Sequence, residues 1–376
     1  MSLTIKAVTT KEEMKQFICF NYELYKDSEY AVPDLYNDVH DTLDPKKNAA
    51  FEFCEAQPFI ALRDDKVVGR IVAIINNKAN FAWNKKSVRF GWVDFIDDEE
   101  VVNKLFEAAE KWGRERGMNE IHGPLGFTDF DPEGMLVEGF DRISTIATIY
   151  NYPYYPIHME RMGYVKDTDW VEYLLTAPQF LPERHARIAR IVKEKFGLHV
   201  VKYTSHRKLA REQGTAIFNL LNETYAHLYG YSALSERQIQ QYIDAYLPLL
   251  DLRLVPLIFD KDNQLIGFGI VLPSLAKAFQ KAGGYLFPLG WWHLLKALKW
   301  NKTQMSEMLL IAVKPEYQGK GAVALIFEDI IPVHYGLGYR FSETNPELED
   351  NTKVQSQWDY FERENHKRRR IYTKKL

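Results

Sequence analysis

The chain has 376 residues, of which 46% are apolar and 26% are charged, a composition typical of folded globular proteins that argues against disorder, collagen or a coiled coil. Its 48 basic and 51 acidic residues give a net charge of −3, so the overall charge does not indicate a nucleic-acid partner. Two cysteines, Cys19 and Cys54, are too few for a disulfide framework or a cysteine-rich zinc site. The N-terminal sequence has no apolar core of a signal peptide, and no apolar run reaches the ~18–20 residues of a membrane span, so we expect a cytoplasmic protein.

The first half of the chain carries the pattern of a small α/β sheet. Residues 58–75 are two apolar runs separated by Asp64-Asp65, which predicts a β-hairpin. Ser87–Phe95 alternates like a strand, and residues 101–117 have apolar positions at helical spacing. A further strand is predicted near Asn119–His122.

The second half repeats this order of elements. Residues 255–272 form a second hairpin pattern, followed by a strand at Met308–Val313, a helix from about Gly321 and a strand at Tyr339–Glu343. The same five elements in the same order favour a duplication over a chance similarity. We place the boundary near Ala177–Pro182, which predicts an N-terminal module of residues 1–177 and a C-terminal module of residues 178–376.

The most informative motif lies between the second-copy strand and its helix. Residues 318–322 read Gln-Gly-Lys-Gly-Ala. Glycines let backbone amides approach a ligand closely, and the start of a helix offers unpaired N–H groups and the positive end of its dipole. Lys320 adds a positive charge. The motif therefore predicts a site for a pyrophosphate group.

This segment resembles the Gcn5-related N-acetyltransferase (GNAT) superfamily, whose signature is Gln/Arg-x-x-Gly-x-Gly/Ala. Gln318 and Gly321 match the signature, whereas Val323 stands at the last position. The resemblance implies an α/β (α+β layered) fold of two tandem GNAT-like modules, each a mixed, mostly antiparallel sheet flanked by helices. It also implies acetyl-CoA or acyl-CoA as co-substrate and no metal. By resemblance, pyrophosphate would contact Gln318, Gly319, Lys320, Gly321, Ala322 and Val323, and pantetheine would contact Leu310, Ile311, Ala312 and Val313.

The first copy lacks this motif. Its strand runs into Ile96-Asp97-Asp98-Glu99-Glu100, and carboxylates at a helix start repel pyrophosphate. Residues 22–38, 123–141 and 151–164 resemble a widespread bacterial family of tandem acetyltransferase-like proteins. We therefore interpret module 1–177 as a degenerate copy that shapes the acceptor pocket.

Three residues are candidates for acid–base chemistry, because transfer to an amine needs a base for the ammonium proton and an acid, or water, for the leaving thiolate. Glu307 resembles the base glutamate of the histone-acetyltransferase branch, with a solvated carboxylate as the alternative, and Glu343 is the second candidate. The tyrosine acid of the superfamily would fall at position 358, which is Trp358, so Tyr360 is a substitute. No histidine spacing indicates a metal site.

Residues 279–302 are an insertion with no counterpart in the first copy. Trp291, Leu294, Leu295 and Leu298 share one helical stripe, while tryptophans and lysines, including Lys302, flank it. Such a segment favours either a helix packed in the core or a peripheral membrane contact at the inner face. The basic C-terminal run from Lys367 to Lys375 is read as a solvated tail that could meet anionic lipid or the 3′-phosphate of coenzyme A.

Together these features predict an acyl-CoA-dependent N-acyltransferase acting on a small-molecule or lipid amine. The insertion makes the chain similar to bacterial ceramide synthases, which implies a sphingoid amine. Two alternatives remain open: an aminoacyl transferase using tRNA, as in the FemX-like peptidoglycan-bridge enzymes, and a catalytically degenerate CoA- or membrane-binding protein.

Overall fold

The structure is a computed structural model that describes residues 2–300 and 303–376. Its strands, in chain order, are β1 (Leu3–Ala7), β2 (Cys54–Arg63), β3 (Lys66–Asn76), β4 (Ser87–Phe95), β5 (Glu120–Gly123), β6 (Met135–Glu138), β7 (Val165–Thr176), β8 (His199–Val201), β9 (Leu257–Phe259), β10 (Leu265–Pro273), β11 (Met305–Val313), β12 (Phe341–Thr344), β13 (Glu347–Leu348) and β14 (Arg363–Lys375). Its α-helices are α1 (Lys11–Leu24), α2 (Tyr36–Thr42), α3 (Asn77–Ala82), α4 (Glu99–Arg114), α5 (Tyr154–Arg161), α6 (Glu183–Phe196), α7 (His206–Leu209), α8 (Thr215–Tyr225), α9 (Glu236–Tyr246), α10 (Ala276–Ala282), α11 (Gly290–Lys299), α12 (Val323–Gly336) and α13 (Thr352–Gln355).

The described chain divides into two compact units. The N-terminal unit comprises residues 2–171, 275–300 and 366–376, and the C-terminal unit comprises residues 172–274 and 303–365. Two segments that the sequence places in the C-terminal module, 275–300 and 366–376, thus group with the N-terminal unit. The division into modules 1–177 and 178–376 stays a prediction.

The N-terminal unit contains the predicted hairpin. Strands β2 and β3 pair from Cys54↔Asn76 to Arg63↔Lys66. At the turn, Asp64 and Asp65 have φ values of 50° and 61°, the left-handed conformation that a two-residue hairpin loop requires. The sheet of this unit continues as β1-β2-β3-β4-β5-β14, with β4 and β5 parallel.

Helix α4 covers one face of that sheet, as its periodicity predicts. Asp98 caps its start by accepting the amide of Val101 at 3.1 Å. Its apolar face is fully buried in the core of the unit, as at Leu105. A Cβ added to Gly69 would lie 2.5 Å from Leu105 Cδ1, so the helix packs directly against the hairpin glycine.

The C-terminal unit repeats the arrangement. Its sheet runs β8-β9-β10-β11-β12, and the end of β7 pairs with β12 from Leu174 to Thr176. The predicted hairpin turn is present, with Asn263 at a φ of 56°. Helices α6 and α12 bury Val192 and Leu325 in one apolar core. The predicted strand, helix and strand of the second copy correspond to β11, α12 and β12.

The insertion folds as α10 and α11, which belong to the N-terminal unit. Its core-facing side chains, Leu294 and Leu298, pack with Leu275, Ala278 and Ala297. Trp291, predicted on the same stripe, is instead exposed, because it lies at the first turn of the short helix α11 beyond this cluster. Lys302 lies outside the described residues. In the described part of the chain, no helix is both long enough and apolar enough to cross a bilayer.

The basic C-terminal run is not a solvated tail, as the sequence suggested, but strand β14. Lys367 and Arg369 are 1% and 0% exposed. From Tyr372 to Lys375 the strand pairs with β5, and Arg370 forms hydrogen bonds of 2.8 and 3.0 Å with the buried carboxylate of Asp169. The prediction failed because basic residues occupy both the buried and the exposed positions of this strand, so the sequence shows no alternation of apolar and polar residues.

Candidate functional site

The candidate site in the C-terminal unit begins where two parallel strands diverge. Strand β11 pairs with β12 from Met305 to Met308, whereas from Leu310 to Val313 its described partner is β10 alone. A register shift between Ile270 and Val271 of β10 places a bulge in β11 at this point. Asn345 spans the divergence, since its side-chain amide donates to the Leu309 carbonyl at 2.8 Å.

One edge of the diverging strand therefore lies open to a ligand that can bond to its backbone. The stretch from Leu310 to Val313, predicted to contact pantetheine, is this segment. Tyr225, at the end of α8, donates its hydroxyl to the Ile311 carbonyl at 3.0 Å. The contact of Tyr225 could not be predicted from the sequence, because Tyr225 lies 86 residues before Ile311.

The loop after β11 holds its two glycines in left-handed conformations. Gly319 has a φ of 70° and Gly321 a φ of 88°, values that disfavour other residues. A Cβ at Gly319 would meet no atom within 4 Å, whereas a Cβ at Gly321 would lie 2.4 Å from Ile188 Cγ2. Gly319 therefore leaves space in front of the loop, and Gly321 lets the loop pack against α6.

Helix α12 starts without a side-chain cap. The amides of Ala324 and Leu325 are bonded to the carbonyls of Gly321 and Ala322, but no backbone carbonyl accepts from the amides of Gly319, Gly321 or Val323 among the described residues. Gln318 is turned back instead, and its amide nitrogen donates to the Val313 carbonyl at 2.9 Å. The start of α12 therefore presents unpaired donors and the positive end of a 14-residue helix dipole.

Lys320 places a cation beside these donors. Its ammonium lies 5.6 Å from the ring centroids of both Phe196 and Tyr317. Within the described ranges it has no carboxylate partner, so its charge can act on an anion. The two glycines, the unpaired amides and the lysine together suit a diphosphate ligand. The β-branched side chain of Val323 packs against the apolar core, so it does not cover these donors.

The two candidate carboxylates are neighbours on adjacent strands. Glu307 of β11 is in register with Glu343 of β12, and parallel strands in register direct such side chains to the same face. Both are buried, with exposures of 3% and 4%. The sheet thus brings Glu307 and Glu343 together, one residue before the strands diverge.

Tyr360 lies in a different environment from these carboxylates. It is exposed at the end of a 3₁₀ turn, its hydroxyl accepts a hydrogen bond from Arg184, and its ring lies 5.5 Å from that of His185. The residue at the position expected for the acid, Trp358, is buried and donates its indole N–H to Glu347 at 2.7 Å. Burial raises the pKa of Glu347 to about 7. Glu347 is thus a carboxyl group that titrates near neutrality, which the sequence interpretation missed.

No group of histidine, cysteine, aspartate and glutamate side chains suited to a metal ion occurs in residues 2–300 and 303–376. The residues of the loop suit a phosphate ligand instead, because they offer backbone N–H donors and a cation rather than metal-binding oxygens.

Comparison with known proteins places these features in a family. No protein-family model matches the chain. The chain is 30% identical over 319 residues to the bacterial ceramide synthase of Caulobacter vibrioides, covering 84% of this chain and 82% of that protein. It is 27% identical over 378 residues to protein YghO of Escherichia coli, covering 99% and 95%.

Solved structures share the fold across the whole chain. A tandem GNAT protein from the clavulanic acid biosynthesis pathway superposes with a TM-score of 0.55 at 12% identity, covering 100% of this chain and 98% of that one. A GCN5-related N-acetyltransferase from Sphaerobacter thermophilus gives a TM-score of 0.52 at 11% identity, with 99% and 95% covered. The fold is therefore the tandem GNAT fold predicted from the motif. The chain therefore has the tandem GNAT fold and belongs to the family of the bacterial ceramide synthase of Caulobacter vibrioides.

Proposed function

We propose that this protein is an acyl-CoA-dependent N-acyltransferase whose acceptor is a long-chain lipid amine. The observation that carries the proposal is the uncapped start of α12, where the amides of Gly319, Gly321 and Val323 and the charge of Lys320 are left for an anionic ligand. The open edge of β11 beside it suits an extended amide chain such as pantetheine.

The proposed reaction is an aminolysis of a thioester. The amine nitrogen attacks the carbonyl carbon, a C–N bond forms, the C–S bond breaks and coenzyme A leaves as a thiolate that takes up a proton. Glu307 or Glu343 would accept the proton lost by the ammonium group. Tyr360 is the candidate donor of the proton to the thiolate.

The lipid acceptor is inferred from the family. A ceramide is a sphingoid base acylated on its nitrogen, and the relative from Caulobacter vibrioides is named for making one. The insertion supports a lipid substrate because it exposes Phe287, Leu289 and three tryptophans, and Trp292 lies 5.8 Å from both Trp291 and Trp300. We name this set, Phe287, Leu289, Trp291, Trp292 and Trp300, the aromatic ridge.

The test is mass-spectrometric detection of the amide formed from a sphingoid base with palmitoyl-CoA or acetyl-CoA. We expect Glu307→Gln or Glu343→Gln to lower kcat by at least about 100-fold with little change in CoA affinity. Glu223→Gln, at an exposed position on α8, is the matched control. If neither thioester yields an amide with any long-chain amine, the proposed function is wrong.

A non-catalytic CoA-binding protein is the second candidate function. It is favoured by Trp358, which occupies the position of the superfamily's tyrosine acid and is buried at 3% exposure. This candidate predicts that acyl-CoA binds with unchanged affinity to all these variants while no amide forms.

The aromatic ridge is also the proposed surface for peripheral membrane contact. Its exposed aromatic rings stand beside the exposed Lys296 and Lys299, a combination suited to anionic headgroups. Replacing Phe287, Trp291 and Trp300 by serine should reduce flotation with anionic vesicles while leaving the packed Leu294 and Leu298 in place. Equal flotation of both proteins would contradict membrane contact through this ridge.

A further inference from the structure

The two units can be aligned strand by strand. The alignment shows that a cavity of the N-terminal unit lies at the position that corresponds to the proposed pantetheine-binding edge. Gly69 pairs with Phe95 and Gly267 pairs with Val313, so β4 corresponds to β11 with an offset of 313 − 95 = 218. The helix-facing pairs Val88↔Ile121 and Ser306↔Ser342 give the same offset, 306 − 88 = 218. Residues 92–94 therefore correspond to residues 310–312, the proposed pantetheine-binding edge.

In the N-terminal unit this stretch borders a cavity of about 780 Å³. That volume lies in the range of small-molecule sites, roughly 300–1,000 Å³. The cavity is lined by residues of α1, the loop after it, β4, the segment 148–150 and α10, among them Tyr22, Tyr25, Asp34, Trp92, Tyr150 and Gln280. The degenerate copy has thus kept a pocket at the position where the other copy offers its strand edge.

The start of α4, which follows β4, is unsuited to a pyrophosphate. In the N-terminal unit, Asp98 already caps the helix that follows β4, and its carboxylate is bound by Arg63 at 2.6 Å. The donors that would hold a phosphate are therefore occupied and the local charge is negative.

The charged residues that line the cavity include three exposed ones, Lys26, Glu29 and Lys277, of which Lys26 is bonded to Glu23 at 2.5 Å. The other charged groups of the lining are a buried pair, Arg70 and Asp94, and the carboxylate of Asp34. Asp94 accepts from Arg70 at 2.7 Å, from Asn21 at 3.0 Å and from Tyr25 at 3.1 Å, so its charge is fully compensated. The side chain of Asp34 has no hydrogen bond and no ion pair within the part of the chain that the structure describes. Only its backbone carbonyl is used, by the hydroxyl of Tyr22 at 2.9 Å.

Burial raises the pKa of Asp34 to about 6. The positive charge of Arg70 lowers this pKa, whereas the negative charges of Asp94, Asp38 and Asp131 raise it further. Holding a carboxylate in such a place costs free energy unless a cation or donor arrives to bind it.

The aromatic rings around Asp34 are held in place and suit a cation. Tyr25 lies 5.7 Å from Tyr150, and Tyr150 donates its hydroxyl to the Phe140 carbonyl at 3.1 Å. Gln280 of α10 donates to the Ala31 carbonyl at 2.9 Å, so the insertion is fastened to the loop that carries Asp34. Ring faces beside a carboxylate are a common arrangement for an alkylammonium group.

We propose that this cavity binds an alkylammonium group at a site separate from the proposed reaction centre, with the carboxylate of Asp34 accepting its N–H bonds and the tyrosine and tryptophan rings packing around it. This inference goes beyond the proposed function, whose reacting amine would lie beside Glu307 and Glu343 in the C-terminal unit. It assigns the degenerate unit a binding role of its own.

The experiment measures decylamine binding to the full-length protein by calorimetry below the micelle concentration, with N-decylacetamide as the neutral counterpart. We expect Asp34→Asn to weaken decylamine binding about 10- to 100-fold, the range for one charge-assisted hydrogen bond. Asp38→Asn, a nearby carboxylate outside the cavity, should leave it unchanged. Val32→Phe, which fills the cavity, should weaken it as well.

The inference is overturned if Asp34→Asn binds decylamine as wild type does, if the amide binds as tightly as the amine, or if Val32→Phe has no effect in a protein that melts normally. Its failure is separable from that of the proposed function. Decylamine bound at Asp34 without any acyl transfer would refute only the function, whereas transfer with unchanged decylamine binding in Asp34→Asn would refute only this site.

Discussion

The strand-to-helix joints at the starts of α4 and α12 occupy equivalent positions in the two units. They differ in which groups accept hydrogen bonds from the amides at the helix start. In the N-terminal unit, Asp98 accepts the amide of Val101 and is itself held by Arg63. In the C-terminal unit, Ala322 has no side chain that could cap, the amide of Leu325 is bonded to the Ala322 carbonyl at 3.0 Å, and Gly319 leaves open space. A repeated fold can therefore satisfy a helix start with its own carboxylate, or leave amides in front of the helix for the ligand proposed here.

The paired strands beneath these joints differ in charge at corresponding positions. By the same offset of 218, Arg89 corresponds to Glu307, and its in-register neighbour His122 corresponds to Glu343. All four side chains are buried. One copy thus carries basic groups, and the other carries carboxylates, which is the chemistry needed to accept a proton from an ammonium group.

The largest expected effect separates the two glycines of the loop. Gly321→Ala should destabilise the C-terminal unit by about 3 kcal/mol, because it combines a left-handed φ with a Cβ forced against Ile188. Gly319→Ala should cost no more than about 1–2 kcal/mol, since its Cβ points into open space. Chemical denaturation measures both, and equal costs would contradict the assignment of Gly321 to packing.

The next effect tests whether charge at the loop decides ligand binding. Gly319→Asp would imitate the acidic joint of the N-terminal unit, and aspartate tolerates a left-handed φ. We expect CoA affinity to fall by about 100-fold, or about 2.7 kcal/mol, as a carboxylate enters a diphosphate site. Gly319→Asn, with the same shape and no charge, is the matched control and should lose less than about 10-fold. Similar losses in the two variants would remove charge as the cause.

A smaller effect concerns His334, a buried histidine of α12. His334 Nε2 lies 2.7 Å from the hydroxyl of Ser306 and 3.1 Å from that of Ser342, where the other copy has Val88 and Ile121. Burial, aided by the charge of Arg340, lowers the pKa of His334 to about 4. In the unfolded chain, His334 therefore takes up a proton below a pH of about 6.5. In the folded protein it stays neutral until the pH approaches about 4, so acid favours unfolding.

Stability is expected to fall by about 1–2 kcal/mol between pH 7 and pH 5 through His334 alone. Denaturation of wild type and His334→Gln at both pH values measures it. The variant should be less stable at pH 7 but should lose less on acidification. The remaining pH dependence includes His122, whose pKa burial also lowers. An identical fall in both proteins would contradict the role of His334.

Sequence patterns predicted the local elements of the two units. They did not predict contacts between residues that are distant along the chain. Both hairpins, α4 and the glycine loop follow from periodicity and turn residues, which act over a few positions. Strand β14 was missed because its pairing with β5 joins Tyr372 to Gly123 across the chain. Asp34 was missed because an aspartate in a loop is ordinary until the cavity around it is known.

The smallest effect concerns the acidic joint at the start of α4. Asp98→Ala removes the cap of α4 and should cost about 1 kcal/mol, the usual value for such a cap, because the amide of Val101 then has only water as its partner. Arg63 would keep Glu100 at 2.9 Å, so the local charge stays partly balanced. If the acidic joint has no part in cofactor binding, CoA affinity measured by calorimetry will be unchanged while the melting temperature falls. A gain of a second CoA per chain in this variant would show instead that Asp98 alone keeps the N-terminal unit from binding the carrier.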